Sequence, residues 1–195
     1  GAGIACGPIV PVDQLPADWS FAAPDWRGFG GTESTGTSYW FPDYLADLEV
    51  LLDRLTSAAP ACVIGHSMGG NIASLYAGIR PDRLRWLVNL EGFGLRSLTA
   101  AAAPARYGEW LDQLRSKRTE RHFVSPQQLA TVLARRNPRL TLARAQFIAE
   151  AWTRPVAGGY ELATDPMHRL LNPVIYRRDE AEACWQRMTC PMLLL

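Results

Sequence analysis

A chain of 195 residues is long enough for one domain with a buried core, or for one domain carrying a large insertion. Its 48% hydrophobic and 20% charged residues are the proportions of an ordinary globular domain. A net charge of +1 gives no overall attraction to nucleic acid or to an anionic membrane, and no apolar run is long enough to span a bilayer.

SFAAPDWRGFGG (Ser20 to Gly31) predicts a short strand running into a glycine-rich loop. FPDYLADLEVLLDRL then places Leu45, Leu48, Leu52 and Leu55 on one helical face, with Pro42 and Asp43 suited to its first turn. ACVIGH reads as a buried strand, and Cys62 within it as a buried free thiol. The next helix should bury Ile72, Leu75, Tyr76 and Ile79 and end at Arg80-Pro81; RWLVNLE (Arg85 to Glu91) is a third strand. Apolar strands alternating with helices predict the α/β class, with a mostly parallel, doubly wound sheet covered on both faces.

From Leu95 the pattern changes. GEWLDQLRSK, SPQQLATVLARR and LTLARAQFIAEAWT read as amphipathic helices with no strand between them. The second carries the signature of a capping box, with Ser125 as N-cap, Pro126 at the first helical position and Gln128 three residues after the cap. Turn signals follow at Gly158-Gly159, Asp165-Pro166 and Asn172-Pro173, then a last helix at DEAEACWQRM and an apolar strand at PMLLL. The expected organisation is a core over residues 1–94, an all-helical cap over 95–187, and the start of the next core strand at 188–195. Residues 100–154 carry ten basic side chains, from Arg106 to Arg154, against four acidic ones, which reads first as a solvated helical surface. The four cysteines (Cys6, Cys62, Cys184, Cys190) show neither metal spacing nor a redox pair, which favours free thiols and a reducing, cytoplasmic compartment. A start at Gly1 and an end within an apolar run give the expectation of a piece of a longer protein.

The stretch VIGHSMGG joins the second strand to the second helix with almost no loop, and Ser67 stands at the corner. Such a turn forces the corner residue into a strained backbone conformation, and glycines at Gly65 and Gly69 remove the Cβ atoms that would collide. The strain lifts a hydroxyl clear of the sheet's carboxyl edge, where open α/β sheets bind ligands. It also aims a helix N-terminus, with the Met68 N–H as an oxyanion donor, at the same place. These features make Ser67 a candidate nucleophile.

Here the sequence resembles the α/β-hydrolase fold superfamily. GHSMGG is similar to its nucleophile elbow, DWRGFGGTES to its DxRGxGxS loop, LVNLEG to the next core strand, and PMLLL to the strand after the cap. GYELATDPMHRLLNPVIYR and NLEGFG resemble a bacterial group related to serine hydrolase-like proteins. The resemblance implies that Asp25, Arg27 and Gly28 brace their loop. Trp26 and Phe29 would line the substrate entrance, and His66 would pack beneath the nucleophile among the substrate-binding residues. Trp110, Phe147 and Trp152 of the cap are expected mainly to pack.

A serine needs a base, and in this superfamily the acid and then the histidine follow the serine in sequence. His122 reads as a solvated cap histidine and His168 as a supporting or surface one. The resemblance therefore places base and acid beyond Leu195 and the other oxyanion donor before Gly1, with Glu91, at a strand end, as the alternative acid. No cofactor or metal is implied. The expected activity is that of a serine esterase or related acyl hydrolase acting on a small or medium hydrophobic substrate. The alternatives are C–C bond hydrolysis, lactone opening or perhydrolysis on the same fold, or a non-catalytic hydrolase-like ligand receptor. Serine in place of a carboxylate argues against dehalogenase and epoxide-hydrolase chemistry.

Overall fold

The structure is a computed structural model and describes residues 20–36, 39–57, 59–116 and 122–195. Cys6, and Lys117, Arg118 and Arg121 of the basic stretch, lie outside these residues. Two compact units are present: the described residues within 38–115 and 170–195 form a sheet unit, and those within 4–37 and 116–169 a second unit.

The sheet unit opens with α1 (Phe41–Thr56), whose Asp43 carboxylate accepts the Trp40 N–H at 3.2 Å and so closes the first turn. It buries Tyr44, Leu48 and Leu52, whereas Leu55 is exposed. Then come β1 (Ala61–His66), α2 (Met68–Ile79), β2 (Leu84–Leu90), α3 (Ala103–Arg115), α6 (Arg178–Trp185) and β5 (Met192–Leu194). The strands are parallel in the order β1-β2-β5, so the apolar run PMLLL returns to the sheet beside β2.

Helix α2 lies directly on β1 and β2, with Ile72, Ala73, Tyr76 and Ala77 fully buried against Ala61, Leu84 and Leu87. Polar contacts fasten α1 to it: the Tyr76 hydroxyl donates to Glu49, Arg80 Nε donates to the same carboxylate at 3.0 Å, and Arg83 pairs with Asp53 at 2.6 Å. The Tyr76 bond holds Glu49 below the usual carboxylate range, while burial pushes the Tyr76 phenol upward. On the other flank, α6 approaches α2 so closely that a Cβ on Gly78 would stand 1.7 Å from the Cys184 carbonyl oxygen. The opposite face of the sheet carries Cys62 and Ile64, both exposed among the described residues. Cys62 is thus not the buried thiol its strand position suggested, because the alternation of β1 turns it away from α2.

The second unit is built on α4 (Pro126–Arg136) and α5 (Leu142–Trp152), which meet along the small side chains Ala130, Ala145 and Ala149. Trp152 packs on this seam, and Phe147 is exposed. The capping box of α4 differs from expectation: Gln128 Oε1 accepts from Val124 N–H at 2.9 Å, one residue before the cap, and the Ser125 side chain makes no cap bond. A two-stranded antiparallel hairpin, β3 (Thr153–Val156) and β4 (Gly159–Leu162), turns at Gly158-Gly159, so the segment after Leu95 is not purely helical.

The stretch from Ser20 to Trp26 joins no ladder among the described residues. Pro24 offers no N–H, and the amides that follow close turns instead: Gly28 N–H to Glu33 O at 2.9 Å and Thr32 N–H to Phe29 O at 3.0 Å. This loop belongs to the second unit, whereas α3 and α6 belong to the sheet unit. Arg106 Nε and Gln113 Oε1 of α3 hold Asn172 O and Leu171 N–H at 2.7 and 2.8 Å. The compact units do not divide at 94 and 187: these bonds tie the two flanks of the insertion to each other, and Arg178 Nη1 of α6 donates to Phe93 O at 2.6 Å.

Replacing Gly78 by alanine must separate α2 from α6, and Gly78→Ala is expected to destabilise by about 1–3 kcal/mol. Gly108→Ala, where an added Cβ meets nothing within 4 Å, is expected to stabilise α3 by about 0.5–1 kcal/mol. Urea denaturation of both variants checks the contrast.

Candidate active site

Ser67 occupies the corner between β1 and α2 with φ +51° and ψ −111°, outside the regions that ordinary L-residues populate. Its N–H donates to Leu90 O at 2.7 Å, continuing the parallel ladder one residue past β1, and its carbonyl accepts the Asn71 N–H at 3.0 Å, the first bond of α2. The chain therefore passes from strand bonding to helix bonding across one residue. Met68 opens α2, so its N–H is one of the amides that helix geometry leaves without an intrahelical acceptor.

Glycine is needed here for close approach, at partly different positions from those expected. A Cβ on Gly65 would lie 2.5 Å from the Gly69 carbonyl oxygen and 2.7 Å from Gly70 N. A Cβ on Gly69 would meet nothing within 4 Å, whereas one on Gly70 would lie 2.3 Å from Asn89 Oδ1. Gly70, not Gly69, is the second position where contact excludes a side chain.

Asn89 and Asn71 are buried and were not singled out from the sequence. Asn89 Nδ2 donates to Ser74 Oγ at 2.8 Å and Gly92 O at 2.9 Å, and its Oδ1 accepts the Gly92 N–H at 2.8 Å. Asn71 Nδ2 donates to Ser67 O at 3.2 Å and its Oδ1 accepts the Gly94 N–H at 2.6 Å. These bonds seat the loop after β2 on the first turn of α2. The signal for them was an amide within each of two apolar runs, NIASLY and LVNL, since a buried amide must find partners.

Glu91 sits in that loop with φ +60°, a left-handed conformation unusual for a non-glycine residue. Its carboxylate is exposed and lies 3.4 Å from His66 Nε2. His66 is half exposed. The alternation of β1 that hides Gly65 turns His66 outward. Among the described residues of the sheet unit, the Ser67 hydroxyl bonds to no imidazole or carboxylate.

The other expected site residues lie in the second unit. Phe29 is 2% exposed and stacks on His168, ring centroids 3.9 Å apart, which makes it a packing residue there and not a free wall for a substrate. Trp26 is half-buried. Asp25 Oδ2 accepts the Gly31 N–H at 3.0 Å and so braces the loop through its backbone. His168 Nε2 lies 3.1 Å from Arg27 O, and backbone bonds from Gly30 N–H to Ala163 O and from Asp165 N–H to Gly28 O, both 2.8 Å, join the same two segments. His122 is exposed. Among the described residues no three His, Cys, Asp or Glu side chains are grouped to hold a metal ion.

Comparison with known proteins places the fold in a family. The profile described as alpha/beta hydrolase fold matches residues 8–176. The chain belongs to the α/β-hydrolase fold family. A serine hydrolase-like protein of Danio rerio is 28% identical over 195 residues, covering 96% of this chain and 59% of that protein. A hypothetical protein of Pseudomonas aeruginosa PAO1 superposes with TM-score 0.77 at 28% identity, over 87% of this chain and 61% of that one. The thioesterase domain from the curacin biosynthetic pathway superposes with TM-score 0.76 at 25% identity, over 88% and 62%. This α/β-hydrolase chain thus spans about three fifths of the length of each of these three proteins.

Burial is the main influence on His168 and lowers its pKa from the ordinary 6.5, while the Arg27 carbonyl bond opposes the shift. A value lowered by folding means that the neutral ring is favoured in the folded state. Its contribution is complete above about pH 6.5 and is lost as pH falls below it. Thermal midpoints measured from pH 7.5 to 5 are expected to drop with acidification, and His168→Gln to flatten part of that drop.

Proposed function

We propose that Ser67 is the nucleophile of a serine hydrolase that cleaves a carboxylic ester, thioester or related acyl bond of a small to medium hydrophobic substrate. The observation that carries this reading is the strained backbone of Ser67 at the strand–helix corner, with the Met68 N–H beside it at the start of α2. Membership of the α/β-hydrolase family and the likeness to a thioesterase domain support it.

In this reading the Ser67 oxygen bonds to the substrate carbonyl carbon as its proton passes to a base, and the carbonyl oxygen becomes an oxyanion facing the Met68 N–H. Collapse expels the alcohol or thiol, which takes up that proton and leaves an acyl group on Ser67. Water then releases the acid by the same steps. A histidine serves as the base in this reading and a carboxylate as its acid partner, and the helices after β2 contribute a cap. The described cysteines, all free, fit a reducing compartment such as the cytoplasm.

In the full-length protein, Ser67→Ala is expected to lower hydrolysis of short p-nitrophenyl esters by about 10³-fold or more and to abolish fluorophosphonate labelling, with folding unchanged. Labelling of the wild type at another residue overturns the assignment. Glu91 is the alternative acid. Glu91→Gln is expected to leave kcat within about twofold, because its carboxylate pairs with His66; a loss of about 10²-fold or more makes Glu91 the acid. Glu91→Gly, which relieves the left-handed backbone, is expected to raise stability by up to about 1 kcal/mol in urea denaturation.

A further inference from the structure

Asn71 touches the active-site serine through main chain and side chain at once. Its N–H and its Nδ2 both donate to the Ser67 carbonyl oxygen, at 3.0 and 3.2 Å. The direction of the side-chain amide is fixed by chemistry, because Ser67 O only accepts and the Gly94 N–H only donates. At 8% exposure the amide is shielded from water, which would otherwise compete for these bonds.

The Ser67 carbonyl and the Met68 N–H are two ends of one planar peptide unit. A group that fixes the carbonyl end therefore fixes the direction of the N–H end. Two donors on the carbonyl oxygen also draw electron density along the peptide and strengthen its N–H as a donor. Asn71 is itself held from behind: the Gly94 N–H reaches its Oδ1 at 2.6 Å, and the loop carrying Gly94 is pinned by Asn89 through Gly92. A Cβ on Gly92 would lie 2.7 Å from Asn71 N, so the loop rests directly on this residue.

We propose that Asn71 is a positioning residue for the oxyanion donor: it anchors the carbonyl of the Ser67–Met68 peptide so that the Met68 N–H is held on the developing oxyanion. This rests on the reading of Ser67 as nucleophile. It assigns the NLEGFG loop a part in the chemistry, as the backstop that keeps the Asn71 amide in place.

The test uses the full-length protein and a short p-nitrophenyl ester. Asn71→Leu removes both side-chain bonds at similar volume. Asn71→Asp keeps an acceptor for Gly94 N–H and loses the donor to Ser67 O, and it carries the comparison alone should the leucine variant fail to fold. Removing an oxyanion donor outright costs about 10²–10³-fold in kcat, so loosening one is expected to lower kcat by about tenfold with KM within twofold. Inhibition by a trifluoromethyl ketone, which forms a tetrahedral adduct on the serine, is expected to weaken by the same factor. Asp53→Asn weakens the ion pair to Arg83 without touching the Ser67 peptide, Asn71 or the loop behind it and is expected to change neither quantity. An unchanged kcat in both Asn71 variants, a change confined to KM, or an equal kcat loss in Asp53→Asn overturns the proposal. Wild-type fluorophosphonate labelling separates the two readings. Labelling at Ser67 with unaffected Asn71 variants removes only the positioning role, and absence of labelling removes both.

Discussion

The backbone of Gly65 lies against the first turn of α2, and the carboxyl edge of the sheet depends on that contact. With the Gly69 carbonyl and Gly70 amide within 3 Å of where a Cβ would stand, strand and helix leave no room for a loop. The one residue between them must reverse the chain by itself, and the left-handed φ of Ser67 is the result. Holding such a conformation costs on the order of 1–3 kcal/mol, which the buried face of α2 against β1 and β2 offsets. The same geometry places a hydroxyl and a helix N-terminus at one point, so strain and chemistry have a common origin.

A strained corner holds its shape only if its surroundings over-determine it. Here two buried amides do so from opposite sides. Asn89 closes the turn at Gly92, and Asn71 ties the Ser67 carbonyl to Gly94, with both ends of each amide satisfied. A buried amide that loses a partner costs about 1–3 kcal/mol, so the network is specific in a way that an apolar contact is not. Gly70 and Gly92 let the two chain segments approach until those bonds can form.

The second unit uses different means. Small residues let α4 and α5 pack closely, and the glycine-rich loop after Asp25 is captured by the segment from Ala163 to His168 through backbone bonds and a ring stack. Asp25 and His168 thus serve the shape of a loop whose amides would otherwise face water or go unpaired.

The sequence by itself determined the α/β class, the strands at Ala61–His66 and Leu84–Leu90, the helix after Ser67, and the corner between them. These are local matters of apolar period, glycine placement and helix stop signals, read within a dozen residues. It also showed the helices of the insertion, because their periodicity is local too. What only the tertiary structure decided depends on partners distant in the chain. The outward turn of Cys62 and His66 followed from which side of β1 receives α2. Phe29 became a packing residue because His168, far along the chain, covers its ring. Gly70 replaced Gly69 as the constrained glycine because Asn89 arrives from the next strand. The flanks of the insertion were tied to each other through Leu171 and Asn172, and to Phe93 through Arg178, by bonds that no periodicity encodes. Asn71 was visible only as a polar residue in an apolar helix. Its bond to the Ser67 peptide exists because folding brings Gly94 to its other side, and a side-chain amide finds its partners by position in space, not by spacing in sequence.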